Sequence, residues 1–280
     1  MAARRIDAHQ HFWNLETGEY PWLTPDAGVL YRTFEPSDLE PRLQAAGIDG
    51  TVLVQSASSS ADTNAMLRQA DCHPWIAAVI GWVPLHQPAE ASRLLDELVQ
   101  HPKFRGVRHP MHAEPDPDWV QQPEMLDGLR ALADRHLVFE LIAGVPRHLQ
   151  HVPLLAEKLP NLTLVIDHLG NPPIATGTLE PWASQIAAAS LYPNVFAKVS
   201  GLMTIARRAD LAPSDLAPYI DHALTSFGAD RLMFGSDWPV CLQACDFEGV
   251  LAVVRSVLAG HTEDEIDAVL GETAVRVYNL

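Results

Sequence analysis

The chain has 280 residues, of which 48% are hydrophobic and 19% charged, the composition of a folded globular protein and not of a disordered one. That length suits one barrel-sized domain, which typically needs about 250 residues, so 1–280 is read as a single domain. A formal net charge of −16 excludes a nucleic-acid partner and an anionic membrane surface, because both require clustered Lys and Arg. A small anionic ligand stays compatible if its pocket is locally positive.

The opening residues, with Arg4 and Arg5, run straight into Asp7 and His9 with no apolar leader between them. The uncharged run Trp75–Leu85 is too short to cross a bilayer. Cys72, Cys241 and Cys245 make no even disulfide framework, and a single C-x3-C pair makes no structural zinc site. These features predict a cytoplasmic protein with inert thiols, and they leave its oligomeric state open.

Eight runs have the composition of buried strands: Ile6–His11, Thr51–Ser56, Trp75–Val83, Phe104–His109, Val138–Ala143, Leu162–His168, Val195–Ser200 and Leu232–Ser236. Most are continuous in Val, Ile and Leu, as strands covered on both faces are. Stretches of helical period separate them. Leu94, Leu95, Leu98 and Val99 share one apolar face, and Leu126, Leu129, Leu132 and Ala133 another. Near the end, Thr262 and Glu265 form a capping box ahead of Ile266, Val269 and Leu270, with Gly271 placed to stop that helix. Pro-rich patches at Pro115–Pro123 and Pro172–Pro181 read as loops. Eightfold alternation predicts an α/β fold, a (β/α)8 TIM barrel. The open doubly wound alternative loses its main support because no G-x-G-x-x-G follows the first strand.

Barrel active sites lie at the C-terminal ends of the strands. Reading those ends in order gives His9, Gln10 and His11, then Arg108 and His109, then Glu140, then Asp167 and His168, then Lys198, then Asp237. Residues two apart on a strand share a face, so His9 and His11 can aim together into the mouth. Strand eight closes against strand one and brings Asp237 to them. His9, His11, His168 and Asp237 are a reasonable set for one divalent ion such as zinc. An H-x-H pair alone is weak; combined with Asp ending the eighth strand it is specific. The plainer readings are that His168 is a bonded strand-end histidine, that Asp237 caps the turn before Trp238-Pro239, and that Arg108 is a rim ion-pair partner. Glu140 and Lys198 could pair with each other or meet a ligand. The segment after strand one carries Phe12, Trp13, Tyr20 and Trp22, which fit a lid whose rings also line a small-molecule pocket.

The stretch Ile6–Trp13 resembles the opening of the amidohydrolase-2 family of the amidohydrolase superfamily, and within it the sugar-lactonase branch of the L-fuconolactonase and L-rhamnonolactonase type. The likeness continues through Gly106–His109, Asp167–Gly170, Lys198–Leu202, Phe234–Pro239 and Thr273–Tyr278. It implies hydrolysis of a small sugar-derived lactone. Asp237 would be the base that deprotonates water, with His9, His11, His168 and Arg108 or His109 holding or polarising the carbonyl. Trp13, Trp22, Trp238, Lys198 and Glu140 are the candidate substrate contacts. Two-metal members add a bridging Lys or Glu and a further His; here Arg108 brings a permanent positive charge instead, so one ion at most is expected, and not an indispensable one. A metal-dependent decarboxylase and a lactone isomerase of the same superfamily are the alternatives, and a catalytically silent binding protein is the reading from another class.

Overall fold

The computed structural model describes residues 3–206 and 211–280; Met1 and Ala2 of the opening segment lie outside them. All eight expected strands form: β1 (Ile6–Gln10), β2 (Gly50–Val54), β3 (Ile76–Gly81), β4 (Phe104–His109), β5 (Val138–Leu141), β6 (Thr163–Ile166), β7 (Val195–Val199) and β8 (Leu232–Phe234). Neighbours pair in parallel in strict sequence order, β1 through β8. The ring joins at its C-terminal end, where the His11 amide donates to Trp238 O at 2.7 Å and the Asp237 amide to His9 O at 2.8 Å. The result is the TIM barrel the apolar runs predicted.

Most strands stop short of the C-terminal limits that composition suggested. His11, Ser56, His168, Ser200 and Ser236 fall just beyond the ladder. The polar ends of those runs have left the sheet to line its mouth, where side chains meet one another and not a core.

The helices are α1 (Pro36–Ala46), α2 (Ser60–Cys72), α3 (Pro88–Leu98), α4 (Pro123–Ala133), α5 (Pro146–Lys158), α6 (Trp182–Ser190), the short α7 (Leu202–Ala206), α8 (Pro213–Phe227), α9 (Phe247–Leu258), α10 (Glu263–Asp267) and α11 (Thr273–Tyr278). Proline opens α1, α3, α4, α5 and α8, a position where its missing N–H costs nothing and its fixed φ is already helical. The predicted faces are those that pack: Leu95 in α3, and Leu126, Leu129 and Leu132 in α4, are buried. The Thr262–Glu265 capping box forms as expected.

Gly271 does not stop the last helix. It sits in a π-helical turn (Ala268–Glu272) that carries the chain from α10 into α11. A Cβ there would fall 1.8 Å from Arg4 O, so glycine is required by the close approach of the strand-one lead-in, and not by a cap.

Two apolar layers result. Ile6, Ala8, Val52, Val54, Ala78, Ile80, Val138, Val165 and Met233 fill the inside of the barrel, with Tyr278 of α11 packed among them. A larger cluster, including Leu53, Val79, Phe139, Leu164 and Phe234, lies between barrel and helices. No described helix is long and apolar enough to cross a membrane.

Candidate active site

At the barrel mouth, side chains from six strand ends converge on His9. Its Nε2 lies 3.1 Å from His11 Nε2, 3.4 Å from Arg108 Nη1 and 3.7 Å from Asp237 Oδ1. Asp237 Oδ1 is in turn 3.5 Å from His11 Nε2. The pair converges although strict alternation fails on this strand: Ile6 and Ala8 belong to the inner core, and the pairing register with β2 shifts between Asp7 and Gln10. His11 Nδ1 is 2.8 Å from Val54 O, an acceptor only, so the ring donates there and turns an Nε2 lone pair towards the mouth.

His168 and Asp237 are held by unusual backbone. Both are non-glycine residues with positive φ, +54° and +57°, a conformation that persists only where surroundings over-determine it and that clusters at functional sites. The His168 ring centroid is 4.7 Å from that of His9, and its Nδ1 is 2.8 Å from Ser200 Oγ. Gly201, at φ +64°, lets the chain pass close by. A Cβ there would come within 2.7 Å of His168 Nδ1 and 3.2 Å of Asp237 Oδ2.

Below His9 the barrel interior holds a charged cluster. Lys198 Nζ contacts Glu140 Oε2 at 2.5 Å, Asp167 Oδ1 at 3.3 Å and His9 Nδ1 at 3.2 Å. Arg108 approaches Asp167 Oδ2 at 3.5 Å and donates through Nη2 to Gln55 O. Tyr278 Oη donates to Glu140 Oε1 at 2.6 Å. Two cations thus balance two carboxylates in a place water does not reach, the condition under which buried charge is tolerable.

These contacts set the protonation states. Burial drives the His9 imidazole well below its usual pKa, partly offset by Asp167, and burial with the Arg108 charge lowers His11. Burial alone would raise the Asp237 carboxyl; the facing imidazoles of His168, His11 and His9 outweigh it and hold it at about 2. Asp167 is held well below the carboxylate range against its burial, chiefly by Lys198 and then by His9 and Arg108. Burial pushes Glu140 up to about 7, with Lys198 pulling against it. At neutral pH the mouth therefore presents an ionised Asp237 beside two neutral imidazoles. Burial likewise raises the thiols of Cys241 and Cys245, the latter to about 11, which fits their expected inertness.

Asp7 braces this arrangement. It accepts from the Ser236 amide at 2.8 Å, Ser236 Oγ at 2.6 Å and the His9 amide at 3.1 Å, tying β1 to the turn that presents Asp237. Burial nonetheless raises its carboxyl from 3.8 to about 6. The folded protein therefore holds that proton more tightly than the unfolded chain. The contribution is full below 3.8 and fades as pH rises through about 6, and it amounts to on the order of 3 kcal/mol. Asp7→Asn is expected to flatten the decline of unfolding free energy between pH 4 and 7 by that amount in denaturant titrations. Equal slopes in both proteins would show that Asp7 does not carry it.

Several expected residues take other places. His109 points away from His9, as adjacent strand residues must. It stacks on Trp119 with ring centroids 4.1 Å apart and meets Glu114 Oε1 at 2.8 Å. Glu140 and Lys198 pair with each other beneath His9, fully buried, so they are not surfaces for a ligand. Trp13 and Trp238 are each 1% exposed and pack edge-on against Phe34. Of the three tryptophans expected to line the pocket, Trp22 keeps an open face. It is 46% exposed, with its indole N–H on Ser56 O at 2.8 Å. Asp167, read from the sequence as a strand-six end, was given no role there, and Ser200, Gln55 and Tyr278 were not singled out. Ser200 could have been, since it lies two residues from Lys198 at a strand end. Gln55 and Tyr278 carry no such signal.

Tetrahedral zinc with bonds of about 2.0–2.2 Å sets its ligand atoms about 3.3–3.6 Å apart. The triangle of His9 Nε2, His11 Nε2 and Asp237 Oδ1 has edges of 3.1, 3.5 and 3.7 Å, so one ion fits. His168 also offers a ligand atom within 4.8 Å of His9 and Asp237.

Known proteins share this architecture. An L-fucono-1,5-lactonase of Burkholderia ambifaria is 39% identical over 244 residues, covering 87% of this chain and 83% of the relative. Another from Burkholderia multivorans is 35% identical and covers 100% of this chain and 97% of its own. The crystal structure of an amidohydrolase from Burkholderia multivorans with bound zinc superposes with a TM-score of 0.90 at 34% identity, covering 99% of this chain and all of that one. The amidohydrolase family profile matches residues 6–280, and the chain, with barrel and strand-end histidines in place, belongs to the amidohydrolase family.

Proposed function

We propose that this protein hydrolyses a small sugar-derived lactone, of the L-fucono-1,5-lactone type acted on by its relatives. The observation that carries the reading is an ionised, buried Asp237 within 3.7 Å of both His9 and His11 Nε2, at the C-terminal end of the barrel.

Asp237 takes a proton from water as its oxygen attacks the lactone carbonyl. Arg108 and His168 face the oxygen on which negative charge develops; fixed donors in a dry site act strongly on such charge. The ring C–O bond then breaks, and the proton held by Asp237 passes to the departing ring oxygen, giving a hydroxy acid. Trp22 offers an exposed ring face for the sugar, its orientation fixed by the bond to Ser56 O. His9, His11 and Asp237 would hold a zinc ion where one is bound, and such an ion adds Lewis-acid polarisation and a more acidic water.

The test is a pH-indicator screen of aldono- and aldarolactones with and without a strong chelator. Acid release from a 1,5-lactone is expected. Loss with chelator and recovery with zinc would make the ion part of the reaction, whereas activity that survives chelation would assign it to the side chains. Release of no acid from any lactone would remove the hydrolase reading.

A further inference from the structure

The Lys198 ammonium has three hydrogens and no acceptor, and it has three neighbours: Glu140 Oε2 at 2.5 Å, Asp167 Oδ1 at 3.3 Å and His9 Nδ1 at 3.2 Å. Glu140 Oε2 and His9 Nδ1 each receive a hydrogen bond from it and Asp167 is its ion-pair partner, so one recipient is a lone pair on His9 Nδ1. A neutral imidazole that accepts at Nδ1 carries its proton on Nε2. The opposite end of the chain of contacts demands the same tautomer. His11 donates through Nδ1 to Val54 O, so its Nε2 is a lone pair, 3.1 Å from His9 Nε2. Two lone pairs at that distance repel; a proton on His9 Nε2 turns the contact into a hydrogen bond. Arg108 Nη1 also reaches that nitrogen, at a longer 3.4 Å, and is an ion-pair neighbour of Asp167 Oδ2 at 3.5 Å; the shorter contacts to His11 and Lys198 set the tautomer.

The other tautomer also has a partner. Asp167 Oδ1 lies 3.4 Å from His9 Nδ1 and can receive an Nδ1 proton. A carboxylate behind a metal-bound histidine does this, leaving Nε2 free to ligate. A cation donor and a carboxylate acceptor thus face one nitrogen.

We propose that Lys198 is a positioning residue that keeps the proton of His9 on Nε2 in the resting protein, and that a divalent ion can bind His9 only when that proton sits on Nδ1 against Asp167. His9 remains neutral in both states, and Lys198 and Asp167 compete for its inner nitrogen. In the resting state the His9 N–H fixes the His11 ring beside Asp237; in the ion-bound state Nε2 offers a lone pair. The consequence for catalysis rests on the lactonase reading, but the tautomer does not.

Long-range proton–nitrogen NMR of protein labelled with 15N-histidine reads the tautomer directly, with His9 assigned by loss of its signals in His9→Gln. Chelator-treated wild type is expected to show a protonated Nε2 and a bare Nδ1, and zinc to reverse the pattern. Lys198→Met should show the Nδ1 proton without zinc, while Lys198→Arg, which keeps a cationic donor, should keep the wild-type pattern. In Lys198→Met, zinc affinity by chelator competition should tighten about tenfold. Its chelator-treated kcat on a hydrolysed lactone should fall about 10–100-fold with little change in KM, the scale seen for residues behind a metal-bound or catalytic histidine. If the single variant does not fold, Glu140→Gln with Lys198→Met removes one charge of each sign and takes its place. An Nδ1 proton in metal-free wild type, or an unchanged pattern in the Lys198 variant, would overturn the proposal whatever the protein hydrolyses. A moved tautomer with unchanged zinc affinity would overturn the competition.

Discussion

Asp237→Asn is expected to lower kcat by about 10²–10⁴-fold, the usual contribution of a general base, with KM little changed. The substitution keeps the shape and the backbone. Asn tolerates the left-handed region that Asp237 occupies at φ +57°, and its amide hydrogen still bonds to His9 O. What is lost is the charge that His168, His11 and His9 hold ionised down to about 2. Steady-state kinetics of chelator-treated protein, with circular dichroism as a folding control, provide the measurement. Near-wild-type turnover in a folded Asn variant would remove Asp237 from the base role and with it the mechanism as written.

The second large effect is expected at Arg108. Arg108→Met should lower kcat/KM by about 10²–10³-fold, the scale for loss of a fixed donor to a developing oxyanion. The guanidinium is aimed: Nη2 is spent on Gln55 O, Nη1 faces Asp167 and His9, and Nε is buried without a hydrogen-bond partner among the described residues. Arg108→Lys should recover little, because a point charge on a flexible stem cannot anchor on Gln55 and serve the carbonyl together. The methionine variant also strips a cation from Asp167. Breaking a buried pair typically costs about 3–5 kcal/mol, and the cost should lie at the low end because Lys198 remains beside the carboxylate. Thermal unfolding measures the stability cost separately from the kinetics. Full activity in a folded Arg108→Met protein would show that the guanidinium braces Asp167 and does not meet the substrate.

Much of the site was legible because a parallel barrel turns a one-dimensional pattern into a location. Once eight apolar runs are recognised, the polar residue ending each run must lie at one rim, and His9, His11, Arg108, His168 and Asp237 follow from that rule. The same rule misplaced His109, since neighbouring residues on β4 share a rim but face opposite sides of the wall. Trp13 and Trp238, expected as substrate contacts, are covered instead, because the sequence shows a ring's presence and not which neighbours cover it. Phe34, from the far side of the lid segment, covers both.

By itself the sequence determined the barrel, its single run of strands in order and the rim on which chemistry can occur. These depend on periodicity and composition, which are local. Only the tertiary structure decided what each polar residue does there. Glu140 and Lys198 lie 58 positions apart in the chain and Tyr278 a further stretch away, yet they meet under His9 because closing the barrel makes neighbours of distant strands. Protonation states follow from such meetings: the same carboxyl is held at about 2 in Asp237 and raised to about 6 in Asp7. Burial opposes ionisation in both, and the facing imidazoles outweigh it in one.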